Sequence, residues 1–233
     1  SSLSPNRHLE ISNNEELLDM ITRIREVTGK PVGIKLVVGA PEHTRELLEG
    51  IAKRGSDAAP DFFTIDGGEG GTGAAPMPLM DLVGMTIREA LPRVVDLRAE
   101  FGMTDRIRLI ASGKLVNPGD VAWALAAGAD FVVSARGFMF SLGCIQALKC
   151  SKNTCPTGIT THNPRFQKGL VPESKYKRVA HYAKGIIKEV EVIAHSVGVS
   201  EPRQLRRHHV RLVQDTGRSE RMNHIYPEVG ESP

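Results

Sequence analysis

Short apolar runs alternate with helical stretches through most of this chain, and that alternation restricts the fold more than any other feature. VGIKLVV (32–38), FFTIDG (62–67), RIRLIASG (106–113) and FVVSARG (131–137) read as strands. Residues 13–28, 42–54, 86–101 and 121–128 read as helices. The first carries Leu17, Leu18, Ile21, Ile24 and Val27 as a stripe and stops at Gly29. A β-α-β-α order implies an α/β fold with a parallel sheet covered on both faces. A closed (β/α)8 barrel needs eight strands and about 250 residues, whereas only four strands are visible here. A further helix over 138–148, ending near Lys149, follows the fourth strand. A long amphipathic helix spans 174–196, and the tail after Thr216 is polar and reads as loosely held.

Composition excludes several classes of function. A net charge of +3 argues against a nucleic-acid surface. The most basic stretch, RQLRRHHVR (203–211), lacks interleaved aromatics and reads as a solvated helix face. No apolar run approaches the ~20 residues that span a membrane. The segment SSLSPNRHLEIS has no apolar core of a signal peptide, which makes a cytoplasmic setting the expectation.

The chemistry-bearing residues fall at the carboxyl ends of strands, where α/β folds place ligands. After the second strand comes GGEGGTGA (67–74), whose bare backbone can lie against a flat ring or an anion. Its spacing is neither a dinucleotide fingerprint nor a P-loop. SGKLVNPGD (112–120) and SARG (134–137) follow the third and fourth strands. As the last two strands of a barrel, these would offer the amides of Gly113, Lys114, Ala135 and Arg136 to a phosphate. The alternative is an ordinary pair of strand-to-helix turns, with Asn117-Pro118 capping a helix. Lys35 stands alone in an apolar strand. It either meets an anion, such as a reduced cofactor or a carboxylate substrate, or snorkels to the strand end.

All three cysteines of the chain lie in LGCIQALKCSKNTCPTG, as Cys144, Cys150 and Cys155, the last followed by Pro156. An odd number of closely spaced thiols ending in Cys-Pro suits an iron–sulfur cluster better than disulfides. Zinc is less suited, because there is no C-x2-C pair and no evident fourth ligand. Unligated thiols are the remaining alternative.

Together these motifs resemble the FMN-binding synthase domain of the glutamate synthase family. The resemblance runs from PNRHLEISNNEELLDMI through TIDGGEGGTGAAP, ASGKLVNPGD and GADFVVSARGF to GCIQALKCSKNTCPTG. The shorter, stand-alone FMN-binding members are the nearest in character. The resemblance implies an FMN- and iron–sulfur-dependent oxidoreductase that reduces the imine of 2-oxoglutarate and ammonia to L-glutamate. It implies that Cys144, Cys150 and Cys155 hold a 3Fe-4S cluster, and that Gly70, Gly71, Thr72 and Gly73 lie beside flavin and substrate. Ser112, Gly113, Lys114, Ala135 and Arg136 would take the FMN phosphate. Lys35 and Glu69 are the candidate catalytic side chains, with Lys35 facing the flavin. The chain departs from the family at Gly68-Glu69, where His-Asp is usual, at Lys114 and at Arg136. The first departure leaves another amino or imino acid open as substrate.

The resemblance also implies that residues 1–155 are the carboxyl-terminal half of a (β/α)8 TIM barrel, including the cysteine-rich loop. Residues 156–216 form a loop and helical extension, and 217–233 a polar tail. Such a half would need the missing amino-terminal half or self-association, together with ferredoxin or a reduced nicotinamide as electron donor. A non-catalytic half-barrel with a structural metal is the competing reading.

Overall fold

In the computed structural model, residues 8–70 and 78–229 are described. Four parallel strands, β1 (Gly33–Val37), β2 (Phe62–Asp66), β3 (Arg108–Ser112) and β4 (Phe131–Val132), form one sheet in sequence order. Helix α1 (Asn14–Thr28) precedes the sheet. Helices α2 (Pro41–Arg54), α3 (Ile87–Glu100) and α4 (Pro118–Ala127) connect consecutive strands, and α5 (Ala135–Leu142) follows β4.

Strand register sorts the side chains into two faces, because neighbours across a parallel ladder point the same way. The rows Ile34–Phe63–Leu109 and Leu36–Ile65–Ala111–Val132 face the helices. Phe63, Ile65, Leu109 and Ala111 are fully buried in one cluster with residues from α1 through α4. The rows Lys35–Thr64–Ile110–Phe131 and Val37–Asp66–Ser112 lie on the other face, which no described helix covers. Val37, Phe131 and Val133 are exposed there. The expectation of a sheet covered on both faces is therefore corrected. Sequential parallel strands with every crossover on one side make the wall of a partial (β/α)8 barrel, not a doubly wound sheet.

Local signals explain the element ends. Asn13 caps α1 by accepting the Glu16 amide at 2.9 Å, and Gly29 closes it with φ 62°. Only Leu18 and Ile21 of the α1 stripe are buried; Ile24 and Val27 are exposed. Asn117 and Asp120 form a reciprocal capping box on α4. Helix α4 is apolar nearly all round, which fits a helix with packing on two sides. One side meets the sheet core, and Ala122 and Ala126 pack with Ala194 and Leu205 in a second cluster. Ala194 belongs to α7 (Pro172–Ser196), which follows the short α6 (Pro164–Gln167) and forms an outer layer over α4 and α5.

Three further expectations are corrected. The fourth strand stops at Val132, so Ala135 and Arg136 belong to the first turn of α5. That helix ends at Gly143, with φ 102°, and not near Lys149. The 203–211 stretch is not a solvated helix face: it folds as short 3-10 turns, and Arg207 is buried. The Arg207 guanidinium donates to Asp96 Oδ1 at 2.6 Å and to the carbonyls of Pro92, Tyr226 and Pro227. These partners compensate the loss of water that makes a buried charge costly. The tail is anchored by the same contacts. Strands β5 (Arg211–Val213) and β6 (Ser219–Arg221) pair antiparallel, and Met222, opening α8 (Met222–Ile225), is buried in the main core.

At the amino ends of the strands, Asp61 accepts hydrogen bonds from the Val32 amide at 2.7 Å and from Arg25 and Arg106 at 3.1 Å. Burial pushes its carboxyl up, but these three partners outweigh it and hold the group below the ordinary carboxylate range. A depressed carboxyl contributes stability above its unfolded pKa of about 3.9 and loses it as pH falls through the folded value. Thermal melting across acid pH should therefore show a shallower decline in Asp61→Asn than in the wild type, together with a lower melting temperature at pH ~7. Parallel melting curves would contradict this assignment.

Candidate functional site

The site is built on the bare face and carboxyl ends of the sheet. Lys35 Nζ lies 2.8 Å from Asp66 Oδ2, its side chain 61% exposed and that of Asp66 14%. The lysine is thus not buried within the sheet. It stands on the uncovered face and meets an anion supplied by the next strand. No sequence pattern singles out Asp66, although it precedes the glycine loop directly. Gly70 packs against it: a Cβ there would come within 2.8 Å of Asp66 Oδ1. Gly71, Thr72 and Gly73 lie outside the described residues.

Glu69 turns back beneath the loop and accepts the Ile87 amide at 2.9 and 3.0 Å. Thr86 provides no side-chain cap for α3, so the Glu69 carboxylate serves the amino end of that helix. Gly113 has φ 125°, and a Cβ there would stand 2.9 Å from the Gly67 nitrogen, whose amide donates to Ser112 O at 2.9 Å. The two strand-end loops are therefore in contact through bare backbone. Lys114, also at positive φ (48°), reaches Asp81 Oδ1 at 2.7 Å.

Lys114, Ala135 and Arg136 line a cleft of about 680 Å³ that also contains Cys144, Cys150 and Cys155. The chain between the thiols is irregular. Gln146, Leu148 and Asn153 all have positive φ, and Cys150 opens a single 3-10 turn. Such a winding path lets thiols six residues apart face one cavity, which a continuous helix would prevent. Among the described residues no three His, Cys, Asp or Glu side chains stand close enough to hold a metal ion. The thiols share a wall without converging on a point. The cleft's chemistry fits a soft metal group: it holds three thiols and no imidazole, and its one carboxylate, Asp81, is already paired with Lys114.

Cys155 is buried, with its Sγ 3.2 Å from the Thr157 hydroxyl. Burial pushes this thiol up. The Thr157 hydroxyl, together with the backbone amides of Thr157 and Thr160, outweighs that effect and brings the thiol down to about 6. Neither threonine carries a recognisable signal in the sequence.

The profile described as a conserved region in glutamate synthase matches residues 1–200. The chain belongs to the glutamate synthase family. It is 47% identical over 214 residues to the glutamate synthase large subunit-like protein YerD of Bacillus subtilis, covering 92% of this chain and 40% of that protein. It is 34% identical over 213 residues to the archaeal glutamate synthase (NADPH) of Methanocaldococcus jannaschii, covering 91% and 41%. The chain therefore spans about 40% of the length of these relatives. Among solved structures, a single-site mutant of flavocytochrome b2 with benzoylformate superposes with TM-score 0.51 at 14% identity, over 83% of this chain and 37% of that one. A double mutant of flavocytochrome b2 with pyruvate bound gives 0.50 at 17%, over 93% and 44%. At such identity the likeness supports the fold alone.

A titration of thiolate absorbance should show a component with a midpoint of about 6. Cys155→Ser should remove it, and Thr157→Val should move it upward. An unchanged titration in Cys155→Ser would contradict the assignment.

Proposed function

We propose that this chain carries the flavin- and cluster-binding part of a glutamate synthase-type oxidoreductase that forms L-glutamate from the imine of 2-oxoglutarate and ammonia. One observation carries the proposal: Lys114, Ala135 and Arg136 of the candidate phosphate residues line the same cleft as all three cysteines. Bound FMN would supply hydride transfer to the imine, and a 3Fe-4S cluster would supply single electrons from the donor.

The residues contribute binding and orientation. Ser112, Gly113 and Lys114 on one loop and Ala135 and Arg136 on the other would hold the FMN phosphate. The α5 amino end favours negative charge there. Cys144, Cys150 and Cys155 would hold the cluster, and the low pKa of Cys155 favours the ligating thiolate. Lys35, steadied by Asp66, presents an ammonium on the uncovered face, where a substrate carboxylate or a reduced flavin would meet it. Glu69 positions the glycine loop through the start of α3. The name of the archaeal relative includes NADPH, which supports reduced nicotinamide over ferredoxin as the ultimate donor. The uncovered sheet rows need covering in the working enzyme. Strand order accepts further β-α units for this, in the same polypeptide or in a partner.

Anaerobic reconstitution with iron, sulfide and FMN tests this reading. Supplied with the β-α units that cover the sheet, the protein should retain iron with acid-labile sulfide, bind flavin and form glutamate from 2-oxoglutarate and ammonia under a chemical reductant. Lys35→Met should lower turnover on the order of 100-fold while retaining both groups. Stoichiometric zinc without bound flavin would overturn the proposal in favour of a structural metal module.

A further inference from the structure

One side chain far from the strand ends reaches both candidate phosphate loops. Tyr182, midway along α7, donates its hydroxyl proton to the Val116 carbonyl at 2.6 Å. Its oxygen also lies 3.1 Å from Ser134 Oγ. A phenol has one proton and a carbonyl can only accept, so the Ser134 hydroxyl must be the donor in the second bond. Val116 lies in the loop after β3, and Ser134 immediately precedes α5. The Tyr182 ring is held by an edge-to-face contact with Phe138, the centroids 5.0 Å apart at 87°. Gly137 leaves the space that the phenol occupies, since a Cβ there would overlap the Tyr182 hydroxyl.

The Ser134 bond matters for the helix that follows. Serine is a favoured cap because its oxygen accepts a first-turn amide. Ser134 stands at the cap position of α5 yet makes no such bond. The bond to Tyr182 fixes the rotamer of this hydroxyl, and in that rotamer its oxygen accepts no first-turn amide. We propose that Tyr182 is a positioning residue for phosphate. From α7 it ties together the loops after β3 and β4, and it keeps Ser134 from capping α5, so that the first turn stays available to an anion. The inference rests on the flavin reading above.

FMN and riboflavin differ only in the phosphate, so their affinities separate positioning of that group from general stability. Dissociation constants for both flavins are measured by fluorescence quenching on the wild type, Tyr182→Phe and Tyr182→Phe/Ser134→Ala. The wild type should prefer FMN. Tyr182→Phe should bind FMN about tenfold more weakly, with riboflavin binding unchanged. The double variant should recover most of the loss, because no hydroxyl remains to cap α5. Gly137→Ala, which displaces the phenol from the other side, should reproduce the selective loss and keeps the test decisive if Tyr182→Phe does not fold. Unchanged FMN affinity in both Tyr182→Phe and Gly137→Ala, an equal loss for both flavins, or a double variant no better than the single one would overturn the proposal. A wild type that binds neither flavin would remove the flavin reading itself, and this inference with it.

Discussion

One-sided burial of the parallel sheet governs where everything else in this molecule can be. Phe63, Ile65, Leu109 and Ala111 are sealed against helices, while Lys35, Asp66 and Ser112 point to the face that no described helix covers. Apolar area withdrawn from water on the helix side supplies the main driving force. The same register commits the alternate side chains to the other side, as a period of two requires. A lysine and an aspartate on adjacent strands then meet without a helix in the way. The strand ends, joined where Gly67 and Gly113 approach, bring two loops into one working surface.

The cysteine segment depends on that frame at one remove. Helix α5 rises from the end of β4 and stops at Gly143, after only eight residues. The early stop releases the chain into a path of left-handed residues that turns three thiols toward the cleft beside Lys114 and Arg136. Helix α7 braces this region from outside by packing on α4 and α5, and its Tyr182 extends the brace to the strand-end loops. A cluster and a flavin in such a cleft would be neighbours by construction, which is the arrangement electron transfer requires.

Much of this is legible in residue patterns, and what escapes them shares a physical cause. The four strands stand out because each is a short apolar run, but those runs hide the alternation: Val37 and Val133 are apolar on the bare face. A continuous apolar strand looks like one buried on both sides. SARG looks like the end of a strand because nothing local marks Ser134 as the turn, and the spacing of the cysteines draws the expected end of the next helix past Gly143 to Lys149. The glycine loop, the two strand-end loops and the cysteines stand out as candidates because their chemistry lies in residue type and order. Asp66, Asp81, Thr157 and Tyr182 are not, since each acts through a partner fixed only by folding. Arg207 is the extreme case. It sits in the most basic stretch of the chain and is buried, because Asp96 and three carbonyls lie where a pattern cannot see them.

The central claim is that the three thiols and the strand-end loops serve one cleft. Anomalous X-ray scattering at the iron edge, from anaerobically reconstituted crystals soaked with FMN, tests it most directly. The account predicts iron bonded to the Sγ atoms of Cys144, Cys150 and Cys155, with the flavin phosphate against Lys114, Ala135 and Arg136 in the same cavity. Iron bound elsewhere, or a flavin phosphate seated away from these loops, would contradict it.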